Sequence, residues 1–225
     1  MSEQLLMNAI ENGDLQQVST LIVETNANVN YIDFQNKGYT PCHLAAEKGL
    51  MSVLELLLTY NGDPNIPSDD QVGSQTPLHL ATSKGYKKIV ETLLNYYADP
   101  NMQDANGYTP LHVACRKGFL EISKLLLAKG GDPDIKDQQG KTAYYWAQEY
   151  KHDEILPFLV LFSAMKESPS LPIEPTAEVK VREKLALYDY TKHHEQNKIT
   201  IHVIKKPDSA GKKKKTTTKK KKSSK

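Results

Sequence analysis

Thr76-Pro77-Leu78-His79-Leu80-Ala81 is the stretch that decides the fold, because the chain repeats it. Thr40-Pro41-Cys42-His43-Leu44-Ala45 lies 36 residues before it and Thr109-Pro110-Leu111-His112-Val113-Ala114 lies 33 after it. Thr142-Ala143-Tyr144-Tyr145-Trp146-Ala147 is a degenerate fourth block, a further 33 residues on. Downstream of each of the first three, the same residues return in register. A glycine comes first (Gly49, Gly85, Gly118), then a leucine pair (Leu57-Leu58, Leu93-Leu94, Leu126-Leu127). Asp63-Pro64-Asn65, Asp99-Pro100-Asn101 and Asp132-Pro133-Asp134 close the copies. An earlier copy lacks the first block but keeps Ala9, Gly13, Leu21-Ile22 and Ala27-Asn28-Val29-Asn30.

Each residue type has a local reason. Threonine caps a helix start, and proline occupies the first turn, where no backbone N–H is needed. The glycine ends that helix in the left-handed conformation. A second helix follows, with apolar residues at helical spacing such as Ile89-Val90 and Leu93-Leu94. Asp-Pro-Asn followed by Asn106-Gly107 or Gln139-Gly140 reads as a loop and turn into the next copy. No copy buries its apolar face alone, so each depends on its neighbours.

The period, the T-P-L-H-x-A block, the central glycine, the leucine pair and the D-x-N end together resemble the ankyrin repeat over about residues 5–162. The resemblance implies an all-α repeat solenoid of stacked helix-turn-helix units with β-turn fingers. Five repeats are expected at about residues 1–32, 33–67, 68–103, 104–136 and 137–163, the outer two serving as caps. A linker is expected at 164–176, a short helix and strand at 177–206, and a disordered lysine-rich tail at 207–225. Two inter-repeat loops are lengthened, by Asp33-Phe34-Gln35-Asn36-Lys37 and by Ser68-Asp69-Asp70-Gln71-Val72.

The family binds proteins mainly through its finger tips and the exposed, concave side of each repeat's first helix. Carried onto this sequence, that surface includes Glu47, Lys48, Lys84, Arg116 and Lys117 at the ends of the first helices. Tyr39, Gln75, Tyr108 and Lys141 precede those helices, and Ala105, Asn106 and Gln138 stand at the turns. Lys48, Lys84 and Lys117 occupy one slot and form a ladder, and Tyr39 and Tyr108 are expected as aromatic anchors.

Charge is divided unevenly. Residues 1–165 hold 12 Lys and Arg against 20 Asp and Glu, a net −8, whereas residues 166–225 hold 17 against 7, a net +10. The tail ends in GKKKKTTTKKKKSSK, whose Lys212, Lys213, Lys214, Lys215, Lys219, Lys220, Lys221 and Lys222 suit a polyanion. It has no interleaved aromatics, so non-specific phosphate contact is open to it and base stacking is not.

No Walker-type loop, H-E-x-x-H, G-x-S-x-G or kinase motif occurs. His43, His79 and His112 recur once per repeat, about 10 Å apart by helix-packing distance, too far to share one metal ion. The resemblance gives each a backbone hydrogen bond instead. Cys42 and Cys115 fall in core slots, and two cysteines make no disulfide framework. His193-His194-Glu195 cannot complete a metal shell alone. No stretch reads as a signal peptide or a membrane span.

The sequence therefore leads us to expect a monomeric, non-enzymatic adaptor without cofactor, in the cytoplasm, whose array holds a protein bearing an acidic patch. Its tail is expected to tether the assembly to an acidic surface. Two alternatives stay open: a microtubule- or axoneme-associated protein gripping acidic tubulin tails, and a nuclear regulator whose tail is read by an importin.

Overall fold

The structure, a computed structural model, describes residues 2–167. The expected helix and strand at 177–206 and the lysine-rich tail lie outside them. Among the described residues are ten α-helices and no strand. They are α1 (Ser2–Glu11), α2 (Leu15–Thr25), α3 (Pro41–Lys48), α4 (Met51–Thr59), α5 (Pro77–Lys84), α6 (Lys87–Asn95), α7 (Pro110–Lys117), α8 (Leu120–Ala128), α9 (Ala143–Glu149) and α10 (Leu156–Glu167). The odd-numbered helices pack side by side in one layer, the even-numbered in a second, and each repeat contributes one of each. This is an all-α repeat solenoid.

The repeated residues build the repeated helices. Thr40, Thr76 and Thr109 are extended at the N-caps of α3, α5 and α7, and a proline follows each as the first helical residue. Gly49, Gly85 and Gly118 end those helices at φ of +77, +76 and +75°. At Gly118 a second constraint applies, since a Cβ there would lie 2.5 Å from the His152 ring of the next repeat. The leucine pairs then fill the space between layers: Leu57, Leu93 and Leu126 are all fully buried.

Polar side chains tie each loop to the next. The Asn30 carboxamide accepts from the Asp63 backbone N–H at 2.7 Å and donates to the Asn61 carbonyl at 3.0 Å. Asn65 does the same to Asp99 and Tyr97, and Asn101 to Asp132 and Gly130. Asp134 holds the fourth asparagine slot, where it takes the Ser163 hydroxyl at 2.6 Å and the Lys166 ammonium at 3.2 Å. Lys166 also reaches Asp132. These contacts correct one expected boundary. Residues 164–167 are the last turn of α10 rather than linker, because Ser163 and Lys166 pin that turn to the preceding loop.

Tyr97 breaks a local rule. Its slot, just after each second helix, is left-handed in four copies: Asn26 at φ +50°, Asn61 at +65°, Tyr97 at +64° and Gly130 at +91°. Asparagine and glycine tolerate that conformation and a bulky ring does not. Tyr97 is also 89% exposed, so its ring gains little by burial. Tyr97→Asn is expected to raise the unfolding free energy by about 0.5–1 kcal/mol through relief of left-handed strain. A urea titration of the full-length variant measures this, and a loss of stability would contradict it.

Candidate protein-binding face

The site grows out of the hydrogen bonds that close each first helix. The Thr40 backbone N–H donates to His43 Nδ1 at 3.1 Å, and the Thr40 hydroxyl meets the same nitrogen at 2.8 Å. With Nδ1 accepting, Nε2 carries the proton and donates to the Gln75 carbonyl of the next finger at 2.9 Å. His79 repeats this with Thr76 and the Tyr108 carbonyl, and His112 with Thr109 and the Lys141 carbonyl. Each histidine thus sets the position of the residue before the next helix, which is where Gln75, Tyr108 and Lys141 were expected to meet a partner.

Burial lowers all three imidazoles and holds His43 at about 4. Burial likewise pushes the Cys42 and Cys115 thiols up to about 12. These groups are structural.

The fingers stack on one another by backbone hydrogen bonds, Asp69 N–H to the Lys37 carbonyl, Ala105 N–H to the Gly73 carbonyl and Gln138 N–H to the Asn106 carbonyl. The Gln138 amide also donates to the Ala105 carbonyl at 2.6 Å. Ala105, Asn106 and Gln138 are exposed along this row, and Gln75 and Lys141 are half-buried. Phe34, in the lengthened first finger, is 77% exposed.

Lys48, Lys84 and Lys117 are the last residues of α3, α5 and α7, and all three are exposed. Because these helices are packed neighbours, the three ammonium groups project from one face. None has an ion-pair partner among the described residues. Glu47, one residue earlier, is half-buried and faces Lys37 at 3.7 Å. Arg116 holds the same slot in α7 and is exposed, its guanidinium over the Tyr108 ring at 5.5 Å.

Tyr39 requires a correction. It is 5% exposed, stacked parallel on the His43 ring at 5.2 Å and covered by the Lys37 ammonium at 5.1 Å. Its ring is a packing element, not an accessible anchor. Tyr108 differs because Trp146 meets it edge-on at 5.6 Å and leaves it half-buried.

Trp146, seen in the sequence only as part of the degenerate fourth block, is the centre of a group of side chains that the block did not reveal. The indole N–H donates to Asp137 at 2.8 Å, Tyr145 meets the ring edge-on at 5.5 Å, and Tyr150 lies 6.2 Å away. Burial pushes the Asp137 carboxyl up, but hydrogen bonds from the Lys141 backbone, the Trp146 indole and the Gln139 backbone outweigh it and leave the group low. The Lys141 ammonium sits over the Tyr145 ring at 4.0 Å. The signal was present as Tyr144-Tyr145-Trp146 in the slots that hold Cys-His-Leu, Leu-His-Leu and Leu-His-Val in the three preceding copies.

Comparison with known proteins agrees with the geometry. The profile of the family described as ankyrin repeats (3 copies) matches residues 6–104 and 97–168. The chain belongs to the ankyrin-repeat family. A 65-residue stretch is also 37% identical to the putative E3 ubiquitin-protein ligase XBAT34 of Arabidopsis thaliana. That match covers 29% of this chain and 17% of the relative's length. Ankyrin repeats imply protein partners, and no helix among the described residues is long and apolar enough to cross a membrane.

The buried histidines give this ankyrin array a pH dependence. In the unfolded chain they take a proton near pH 6.5, whereas folded His43 resists protonation until about pH 4. The His43 contribution, on the order of 3 kcal/mol, is complete above pH 6.5 and is lost as pH falls toward 4, and burial of His79 and His112 acts in the same direction. Urea titrations at pH 7.5 and 4.5 should show a much lower midpoint at 4.5, and equal midpoints would contradict neutral, buried histidines.

Proposed function

We propose that this chain is a non-catalytic scaffold that holds an acidic segment of a partner protein on the inner-helix face of its ankyrin array. The observation that carries this is the ladder of ammonium groups at Lys48, Lys84 and Lys117, which have no ion-pair partner among the described residues. It runs beside a row of exposed fingers on an array whose net charge is −8 over residues 1–165. Like charges elsewhere on that array repel an acidic segment, so the ladder is where it is steered. A lysine in a last helical turn also complements the helix dipole. Alignment of three such lysines on one face adds attraction across repeats that a single helix end does not have.

Absence of catalysis is supported by the state of the reactive groups. Three of the four histidines of the array, His43, His79 and His112, are neutral and engaged by hydrogen bonds at both ring nitrogens, and both cysteines are buried thiols. The ligase activity in the name of the Arabidopsis relative belongs to that protein. In this reading the lysine-rich segment from Lys212 tethers the complex to an acidic surface in the cytoplasm.

The test is a triple reversal, Lys48→Glu, Lys84→Glu and Lys117→Glu, in the full chain. Stability should fall by less than about 1 kcal/mol per site, since exposed charges contribute little to folding. Pull-downs from source cells should lose one set of proteins with the triple variant and a different set when residues 211–225 are removed. Tubulin or an importin in the second set names the tether. An unchanged protein set with the triple variant contradicts the reading.

A further inference from the structure

We infer that the last two repeats carry a built subsite for one apolar side chain flanked by carboxylates, which fixes the register of the acidic segment along the lysine ladder. The inference rests on the scaffold reading above and names the chemistry that the partner brings.

The subsite is a chain of ring contacts with a cation at each end. Arg116 lies over Tyr108 at 5.5 Å, Tyr108 meets Trp146 at 5.6 Å, Trp146 meets Tyr145 at 5.5 Å, and Lys141 lies over Tyr145 at 4.0 Å. The two ring–ring contacts are edge-to-face, at 82 and 85°. Rings set at right angles make corners, not a flat platform. A corner between π faces takes an aliphatic or aromatic side chain by contact on two sides. Tyr150, 51% exposed, stands at the rim of the indole at 6.2 Å.

Charge chooses among possible occupants. A quaternary or methylated ammonium, the usual guest of aromatic clusters, is repelled by Arg116 and Lys141, which already lie over the tyrosine faces. Rings at right angles offer no pair of parallel faces for a nucleobase to slot between, and each tyrosine already has a cation over one of its two faces. A carboxylate is favoured at both ends. A guanidinium lying over a ring engages it through its own face and keeps its N–H edge for a bidentate carboxylate. Asp137, the carboxylate that hydrogen-bonds the cluster among the described residues, is committed to the Trp146 indole and to the backbone N–H groups of Gln139 and Lys141. Glu149, exposed one repeat beyond Arg116, closes the positive stripe at this end.

The apolar corner and the lysine ladder also divide the work of recognition. The ladder attracts any acidic segment without fixing where it sits, because successive lysines are equivalent. Only the last two repeats supply an aromatic corner, so an apolar residue in the partner finds one position and the segment is held in one register.

Trp146 is the single tryptophan of the chain, so its emission reports this subsite alone. The experiment titrates the full-length protein with two unlabelled twelve-residue peptides of glutamates, one with Leu-Phe at its centre and one with Gly-Gly. Fluorescein-labelled versions give affinities by anisotropy. The Leu-Phe peptide should move Trp146 emission to the blue, saturably, and bind at least tenfold more tightly than the Gly-Gly peptide. Tyr150→Ala, at the exposed rim, should reduce that ratio below threefold while leaving the Gly-Gly affinity unchanged. Equal affinities that both collapse with the Lys48, Lys84 and Lys117 reversal would overturn the subsite and leave the ladder standing. Binding of neither peptide would overturn both. A dT12 oligonucleotide that moves Trp146 emission more than the Leu-Phe peptide would replace the acidic segment with nucleic acid and overturn the inference.

Discussion

The bond from each histidine Nε2 to the carbonyl of the following finger is the contact on which the array depends. It satisfies a buried imidazole with an acceptor the repeat does not own, so a repeat is complete only when the next one is in place. The same ring closes its own helix through Nδ1, so helix capping, repeat stacking and finger position are one linked constraint. Asparagines 30, 65 and 101 apply the same logic at the opposite end of the repeat, each filling the backbone hydrogen bonds of the next loop. An unmet buried polar group costs about 1–3 kcal/mol, which makes a slipped register expensive at each of the three buried histidines.

The end of the stack follows from that constraint. Among the described residues nothing stands in the place of a sixth finger, and three slots change together. The histidine slot holds Tyr145, the asparagine slot Asp134 and the helix-ending glycine slot Lys151, at φ +59°. Asp134 instead meets Ser163 and Lys166 of the last helix. The tyrosine and tryptophan freed from stacking duty form the aromatic cluster with Tyr108. The aromatic cluster is thus a consequence of the three changed slots, not an addition to them.

Most of this architecture was legible in the sequence because its signals are local and recur. Thr-Pro at a helix start, glycine at its end and a leucine pair between layers each act within a few residues, and the repetition fixes the register. What was not legible depends on contacts across repeats. Tyr39 and Tyr108 occupy one slot, yet the first is sealed by Lys37 and His43 while the second is held open by Trp146. The two-residue extension of the first finger places Lys37 there, and slot equivalence cannot show that. The extent of α10 was likewise hidden, since Ser163 and Lys166 are ordinary surface residues until Asp132 and Asp134 are placed beside them.

The lysine ladder, the fingers and the aromatic corner all lie on the inner-helix side, so this is the face that a bound partner must cover. Hydrogen–deuterium exchange of the full-length protein, with and without a saturating acidic peptide containing one central phenylalanine, reads this directly. Protection should appear in α3, α5, α7 and α9 and in the fingers that precede them. Protection confined to α4, α6 and α8, or none within residues 2–167, would contradict it.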